Sequence, residues 1–447
     1  MSYARWATKD EVAKRLDAIE IGKEIEKSGI PMAYDDNHLY IDSHEAHNMI
    51  IGSTGSGKTQ VAILPLIKLS MLAKESMVIN DPMGELYRNN ADLLRKNGYT
   101  TIVVDFDDSR YGNSWNPLKM PYDLYKNGEK DKAIKYVEDI AYYMFYDPKE
   151  KNNDPFWINS TINFFTGIVL YLFEKANEDE INIASTYHFA NYLITDGSKN
   201  TIKKLDKQGL IYMNLVGIIE APTETKGSIL SVFNQKMKKY VSREILTNML
   251  SNTDFDLYDI NKKPTALFII SGQSSFGNNF IPLLINQIID CVKDTDTENR
   301  HLNILLDEFD SMVPIRNFAR LVEYCRALRV KFTVTIRSFI HLNNMYTKED
   351  AEILKLCFGN IIYLLSDDIY TLEEISKKCG YKEGGTPLIS VEDLKTLDMF
   401  ESIILMPRTM PFKTTLIPDY KINYNFSSEV CELPNRKNNI YKIYKEQ

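Results

Sequence analysis

The sequence predicts an α/β fold: a mostly parallel, twisted sheet that binds a nucleotide, with an all-α domain inserted into the chain. Three observations predict it. Residues 46–59, A-H-N-M-I-I-G-S-T-G-S-G-K-T, set a glycine-rich loop ending in lysine and threonine between an apolar run and a helical one. Short apolar runs recur before residue 120 and after residue 252, separated by lengths that suit helices. Between those points the apolar residues adopt a 3.6-residue period and the strand-like runs become few.

Residues 3–27 carry helix-forming residues of mixed charge, with Y-A-R-W-A at 3–7 as their distinctive part. Met49, Ile50 and Ile51 then read as the end of a buried strand. The loop through Gly52, Ser53, Thr54, Gly55, Ser56 and Gly57 has too little side chain to block its backbone, so successive N–H groups can turn inward around a phosphate. Lys58 supplies positive charge and Thr59 a hydroxyl for Mg2+. The apolar run 61–72 provides a helix whose N-terminus faces the phosphates, and Pro65 is expected to kink or shorten it. Residues 76–80 and 101–105 read as the next strands, the first leading into D-P-M-G-E-L at 81–86. Strands spaced by helices imply a parallel sheet whose ligands bind at the carboxyl ends of the strands.

The pattern changes at W-N-P-L, residues 115–118. Residues 133–145, 156–173, 186–193 and 211–219 then read as helices. A last helix follows Glu224-Thr225-Lys226-Gly227-Ser228, with Ile229, Val232, Phe233, Met237 and Tyr240 on one face. Lys236, Lys238 and Lys239 fall on or near the opposite face, as a solvated surface or a contact for DNA or a partner. Strand-like runs resume at 265–271, 302–306, 332–336, 361–365 and 402–406. The expected organisation is therefore a nucleotide-binding domain in two parts, 1–119 and 253–430, around an all-α domain at 120–252, with a polar tail at 431–447. That tail is tyrosine-containing and reads as free or as docking late.

At 447 residues the chain is too long for one ordinary core. Its net charge of −8 argues against a general basic coat for nucleic acid, so any DNA contact has to come from a local patch or the lumen of an assembly. Five scattered cysteines without a C-x-x-C pair suit reduced thiols in the cytoplasm. His44 and His47 lie close together without a third ligand and read as surface or loop residues rather than a metal site. No stretch reaches the ~18 uninterrupted apolar residues of a membrane span, and the most apolar, 158–173, reads as a buried helix.

A phosphate loop binds nucleotide but needs a partner to hydrolyse it. His301-Leu302-Asn303-Ile304-Leu305-Leu306-Asp307-Glu308 delivers two adjacent carboxylates at the end of an apolar strand. Asp307 is expected opposite Thr59, on Mg2+ or its water, and Glu308 is the candidate for polarising the attacking water. The alternative is an acidic strand end that merely caps the next turn. Charge developing on the γ-phosphate also calls for an arginine, which in ring ATPases usually comes from a neighbouring subunit. Arg316, Arg320, Arg326, Arg329 and Arg337 follow the acidic pair; Arg326 is the first choice and Arg337 the second.

These motifs, in this order, resemble the type IV coupling proteins, the ring ATPases of bacterial conjugation and type IV secretion. The resemblance spans Y-A-R-W-A, G-S-T-G-S-G-K-T, D-P-M-G-E-L, W-N-P-L, E-T-K-G-S-I from Glu224, L-L-D-E-F from Leu305 and M-P-F-K-T from Met410. It implies a RecA-like P-loop domain with an inserted all-α domain, assembling as a hexamer at the cytoplasmic face of the inner membrane. ATP and Mg2+ are the implied cofactors. The implied partners are a relaxase or other relaxosome proteins, single-stranded DNA or a protein effector, and components of the secretion channel. Lys58, Thr59, Asp307 and Glu308 match the family's nucleotide and catalytic positions, and Arg326 lies in its arginine-bearing stretch. Met83 stands where lysine is common in the family, and Arg337 where glutamine is common. Family members usually begin with transmembrane helices ahead of a motif like Y-A-R-W-A. The resemblance therefore carries the expectation of a truncated chain, or of a member relying on a separate membrane partner. A double-stranded DNA translocase of related fold and a nucleotide-binding docking adaptor with little turnover stand as alternatives.

Overall fold

The computed structural model describes residues 3–35, 38–147, 154–194, 201–202, 204–272, 277–295 and 300–446. Its strands are β1 (Asp17–Glu20), β2 (Ile30–Tyr34), β3 (His38–Asp42), β4 (Asn48–Gly52), β5 (Ser76–Asn80), β6 (Thr100–Asp105), β7 (Thr265–Ile270), β8 (Leu302–Leu306), β9 (Val330–Ile336), β10 (Asn360–Leu365), β11 (Glu401–Leu405) and β12 (Phe412–Thr415). Nine of them form one sheet in the order β12-β11-β10-β4-β9-β8-β5-β7-β6. Pairing is parallel from β10 through β4, β9, β8 and β5 to β7, and antiparallel at β10–β11 and β11–β12. Every residue of β4, β5, β7, β8 and β9 is buried, as strands covered by helices on both faces must be. The mostly parallel sheet and the many helices agree with the expected fold class.

The chain divides into two compact units. The first comprises residues 1–103, 257–271 and 288–432 and holds the sheet from β12 to β7. The second comprises residues 104–256, 272–287 and 433–447.

In the first unit the expected helix-forming stretch 3–27 is only partly helical. Thr8 and Glu11 form a reciprocal cap that starts Lys9–Arg15. The chain turns extended at Leu16, and β1 pairs with β3, which pairs with β2, in a small separate sheet. Three of the four β1 residues are exposed and only Ile19 is half-buried, so no apolar alternation marks the strand in sequence. Backbone pairing to β3, whose Leu39 and Ile41 are buried, overrides local helix preference. After the phosphate loop, Thr59–Ile63 forms a π turn in which Leu64 N–H bonds to Thr59 O, and the α-helix proper is Leu64–Leu72. Pro65 follows the π turn directly within a continuous helical run, so the proline coincides with the change from π to α rather than ending the helix.

The second unit is built mainly on the helices Lys130–Phe145, Pro155–Lys175, Ile183–Tyr192, Leu210–Ile219 and Thr223–Val241. Phe145, Phe164, Phe165 and Phe233 meet edge to face at its centre. Gly167 lets Leu210–Ile219 approach Pro155–Lys175: a Cβ at this position would stand 2.7 Å from Leu215. Pro155–Lys175 is long and apolar enough to cross a membrane by length and composition. Residues 164–173 of it are buried within the unit, in keeping with the expected core helix.

One expectation is corrected here, and of the two readings of the closing residues the docked one is found. Lys236 is not on an exposed basic face: it is buried in Thr223–Val241 with Ile229, Phe233, Met237 and Tyr240, 3.8 Å from Asp147. Lys239 lies over the Tyr240 ring, which leaves Lys238 as the exposed member of the three. The closing residues are fastened rather than free. Arg436, 7% exposed, donates to Ser109 O at 2.7 Å, Asn248 Oδ1 at 2.6 Å and Ile245 O at 3.2 Å. Tyr444 N–H donates to Ser185 Oγ, and its ring packs against Phe189. Gln447 lies outside the described residues.

Candidate nucleotide site

β4 runs into the glycine-rich loop, and the loop folds as its composition demands. Gly55 and Gly57 have φ of 81° and 87°, a backbone region that side chains rarely adopt. A Cβ on Gly52 would lie 2.2 Å from Ser56 Oγ. The Ser56 hydroxyl is buried without a hydrogen-bond partner, as is Gln60 Oε1 one turn on. Lys58 Nζ donates to the carbonyls of Gly52 and Ser53. Burial pushes its ammonium below the usual lysine range, against the pull of Asp307, Asp310 and Glu308.

β8 brings the acidic pair to the same edge. Thr59 Oγ1 donates to Asp307 Oδ2 at 2.9 Å across 248 residues of sequence. The other carboxylate oxygen accepts from Thr335 Oγ1 at 2.6 Å, and Asn80 Nδ2 donates to Asp307 O at 2.7 Å. Asp307 is thus clamped from β9 and β5, the two neighbours of its own strand. Glu308 is exposed, with φ 52° and ψ 42°, so the chain turns left-handed immediately after the strand. Its carbonyl accepts from Ser311 N–H and Oγ.

A cavity of 520 Å³ joins these residues: Thr54, Gly55, Gly57, Lys58, Thr59, Asp307 and Glu308 line it. Asp310, Arg337, Met399, Phe400 and Tyr420 complete the lining with Gln60 and Ser311. Arg337 donates to Asp310 Oδ2 through Nε at 2.8 Å and its backbone N–H at 3.1 Å. Arg326 is elsewhere. It is exposed on the turn Arg326–Leu328, ahead of β9, whereas Arg337 follows β9. Seven strand residues, roughly 23 Å, separate the two edges.

Other residues singled out by sequence serve the scaffold. Asp81 Oδ2 accepts from Tyr87 N–H and caps Glu85–Lys96, and burial pushes its pKa up to about 6. Met83 is 59% exposed and does not line the cavity. His47 lies in the loop just ahead of β4, as expected, but not at the surface: at 1% exposed, its Nε2 bonds to Val322 O and its Nδ1 accepts from Phe332 N–H. Both ring nitrogens are used by the neutral form, and burial lowers its pKa to about 4. His44 pairs with Asp42. Sequence reasoning missed Asn80, Thr335, Asp310, Met399, Phe400 and Tyr420. For Asn80 a signal was present, a polar residue at the carboxyl end of a mostly apolar strand, whereas Thr335 shares its strand with Lys331 and Thr333 and does not stand out.

The family profile for type IV secretory system conjugative DNA transfer matches residues 5–408. The chain belongs to this family. Among solved structures, this conjugative DNA transfer protein is similar to the plasmid coupling protein TrwB in complex with ADP and Mg2+, at TM-score 0.67 and 14% identity, covering 98% of this chain and 95% of that one. TrwB in complex with the non-hydrolysable analogue ADPNP matches at TM-score 0.66 and 15% identity over 98% and 96%. The unbound bacterial conjugative coupling protein TrwBdeltaN70 matches at TM-score 0.64 and 13% identity over 98% and 95%. At these identities the likeness is one of fold. No curated protein sequence matches significantly.

Proposed function

We propose that this chain is an ATP-hydrolysing coupling protein, which recruits a relaxase attached to single-stranded DNA, or a protein substrate, and hands it to a type IV secretion channel. The observation that carries the reading is the 2.9 Å contact between Thr59 Oγ1 and Asp307 Oδ2 beside the phosphate loop. A hydroxyl and a carboxylate oxygen at this place are hard donors suited to Mg2+, and the unpartnered Ser56 hydroxyl and the loop glycines suit a phosphate. Mg2+ would neutralise charge on the phosphates when bound.

The protein's own residues would then divide the work. Gly52, Ser53, Thr54, Gly55, Ser56 and Gly57 present backbone N–H groups to the β-phosphate, and Lys58 exchanges its two loop carbonyls for phosphate oxygens. Thr59 and Asp307 hold the metal. Glu308, exposed and lining the cavity, orients and deprotonates water. Arg326 acts on the site of a neighbouring subunit in a hexameric ring, a role that its distance from its own Asp307 favours. The ring works at the cytoplasmic face of the inner membrane. The organisation proposed for it is a nucleotide-binding domain in two parts around an all-α domain.

The experiment is ATP hydrolysis against protein concentration, with and without single-stranded DNA, for the chain, Lys58→Ala and Arg326→Ala. Turnover per subunit that rises with concentration and is lost in both variants is the expected result. An arginine supplied in trans is worth ~10³ to 10⁵ in rate, so a lone subunit should be slow. Tight nucleotide binding without turnover under every condition would favour the docking adaptor.

A further inference from the structure

We propose that residues 439–446 are a built-in occupant of a peptide-docking groove on the second unit, and that an extended acidic segment of a partner protein takes their place. None of the residues lining this groove lines the phosphate cavity, so the groove is independent of the nucleotide reading.

The segment is held as a bound peptide is held. It forms no helix or strand of its own, and side chains of the unit meet its backbone at alternate residues. Asn182 Nδ2 donates to Lys442 O at 2.9 Å, and Ser185 Oγ accepts from Tyr444 N–H at 3.0 Å. Asn182 and Ser185 are both buried, at the start of Ile183–Tyr192, so the two contacts are fixed by the helix that carries them. Contacts of this kind hold an extended chain whatever its side chains, and pockets for those side chains supply the selectivity. The Tyr444 ring meets Phe189 edge to face at 5.5 Å, and Phe189 is stacked on Tyr171 at 4.6 Å. The Glu446 carboxylate accepts from Tyr171 Oη at 2.8 Å and from Tyr444 Oη at 2.8 Å. The groove therefore reads an aromatic ring and a carboxylate two residues further on.

Two features make the occupant exchangeable. Residues 437–440 are all exposed, Ile440 at 94%, so the stretch between the Arg436 anchor and the groove packs on nothing and can swing out while Arg436 stays bonded. The segment also leaves space unfilled. A cavity of 780 Å³ adjoins Tyr444 and Glu446, with Tyr125, Lys130, Lys175 and Lys204 in its lining. Its acids already have donors: Glu174 accepts from Tyr125 Oη at 2.9 Å, Glu180 from Asn177 N–H at 2.8 Å and Asp206 from Gln208 N–H at 3.0 Å. Lys175 and Lys204 form no ion pair among the described residues. Open space beside uncompensated ammonium groups suits further carboxylates, so an acidic segment following the aromatic residue fits the groove better than residues 439–446 do.

The test follows, by fluorescence anisotropy, a labelled peptide with the sequence of residues 439–447 and a second peptide in which three glutamates follow Gln447. Each is titrated with the full chain and with a chain ended after Asn438, which keeps Arg436. The shortened chain is expected to bind the first peptide, and the full chain at least about tenfold more weakly, because a tethered segment competes at an effective concentration on the order of 1 mM. The added glutamates should tighten binding to the shortened chain by about three- to tenfold, a gain that Lys175→Glu with Lys204→Glu abolishes. Tyr444→Ala in the peptide should weaken it about tenfold. Should the shortened chain not fold, Tyr444→Ala with Glu446→Ala in the full chain loosens the segment in place and is expected to bind the peptide more tightly than wild type does. Equal affinity in the wild type and in the shortened or loosened chain, or no binding to either, would overturn the built-in occupant. Unchanged or weaker binding of the glutamate peptide would overturn the acidic partner, and its displacement by a single-stranded oligonucleotide would give the groove to DNA instead.

Discussion

Glu308 and His47 show how differently two titratable residues can be committed. Glu308 is exposed, and its carboxylate is free to meet water and substrate. Glu308→Gln is expected to keep nucleotide affinity and lower kcat by about 10²- to 10⁴-fold, measured by steady-state hydrolysis beside a binding titration. A kcat within tenfold of wild type would remove Glu308 as the base. His47, by contrast, is committed to the fold as a neutral ring bridging Val322 and Phe332. Its pKa falls from 6.5 to about 4, so its contribution is complete above the unfolded value and is lost as pH drops through the folded one. Asp81 has the opposite sign. Its pKa rises to about 6, so stability from its neutral form is gained as pH falls from 6 towards 4. Each shift corresponds to about 3 kcal/mol across its window. Urea midpoints between pH 4 and 7 should fall less steeply with acid in His47→Gln, and more steeply in Asp81→Asn. Parallel profiles for all three proteins would contradict both assignments.

At the scale of elements, Thr223–Val241 separates structural charge from exposed charge. Lys236 is buried beside Asp147, so Lys236→Ala is expected to lower stability by about 1–3 kcal/mol, read in a thermal melt, and to leave DNA affinity alone. Lys238 is exposed; if this helix touches DNA, Lys238→Ala should leave the melt unchanged and reduce the salt slope of single-stranded DNA binding by about 0.7. Loss of DNA affinity in Lys236→Ala with an unchanged melt would reverse the assignment. The phosphate-loop helix makes a related point about cost. Its first turn is π-helical and runs straight into Leu64–Leu72, so Pro65 sits inside a continuous helix just after the wider turn, and the helix goes on past a residue that breaks helices in sequence terms.

For the whole molecule, the net charge of −8 means that DNA affinity has to rest on few local cations and fall steeply with salt. The chain's end belongs to the second unit: Arg436 donates to the carbonyls of Ser109 and Ile245 and to the Asn248 amide oxygen. Deleting residues 435–447 strands those acceptors and should cost about 2–4 kcal/mol, seen as a lower urea midpoint with the phosphate-loop nucleotide affinity unchanged. An unaltered midpoint would make the segment a tail after all.

Much of this protein was legible in one dimension. The strands at 76–80 and 302–306 and the helix over 211–219 are marked by continuous apolar runs or a clear period, because the burial that stabilises them is recorded in side-chain type. The phosphate loop and the Asp307-Glu308 pair were legible because their chemistry depends on residue type at fixed spacing. What the residue order left undetermined depends on partners distant in the chain. β1 forms because β3 offers its edge, Lys236 is buried because Asp147 lies beside it, and Arg436 is held by carbonyls more than 180 residues away. The apolar end of the cavity belongs to this second group. Only the reversal of β11 and β12 brings Phe400 and Tyr420 back to a loop that precedes them by more than 300 residues, and backbone pairing, not side-chain pattern, decides that reversal.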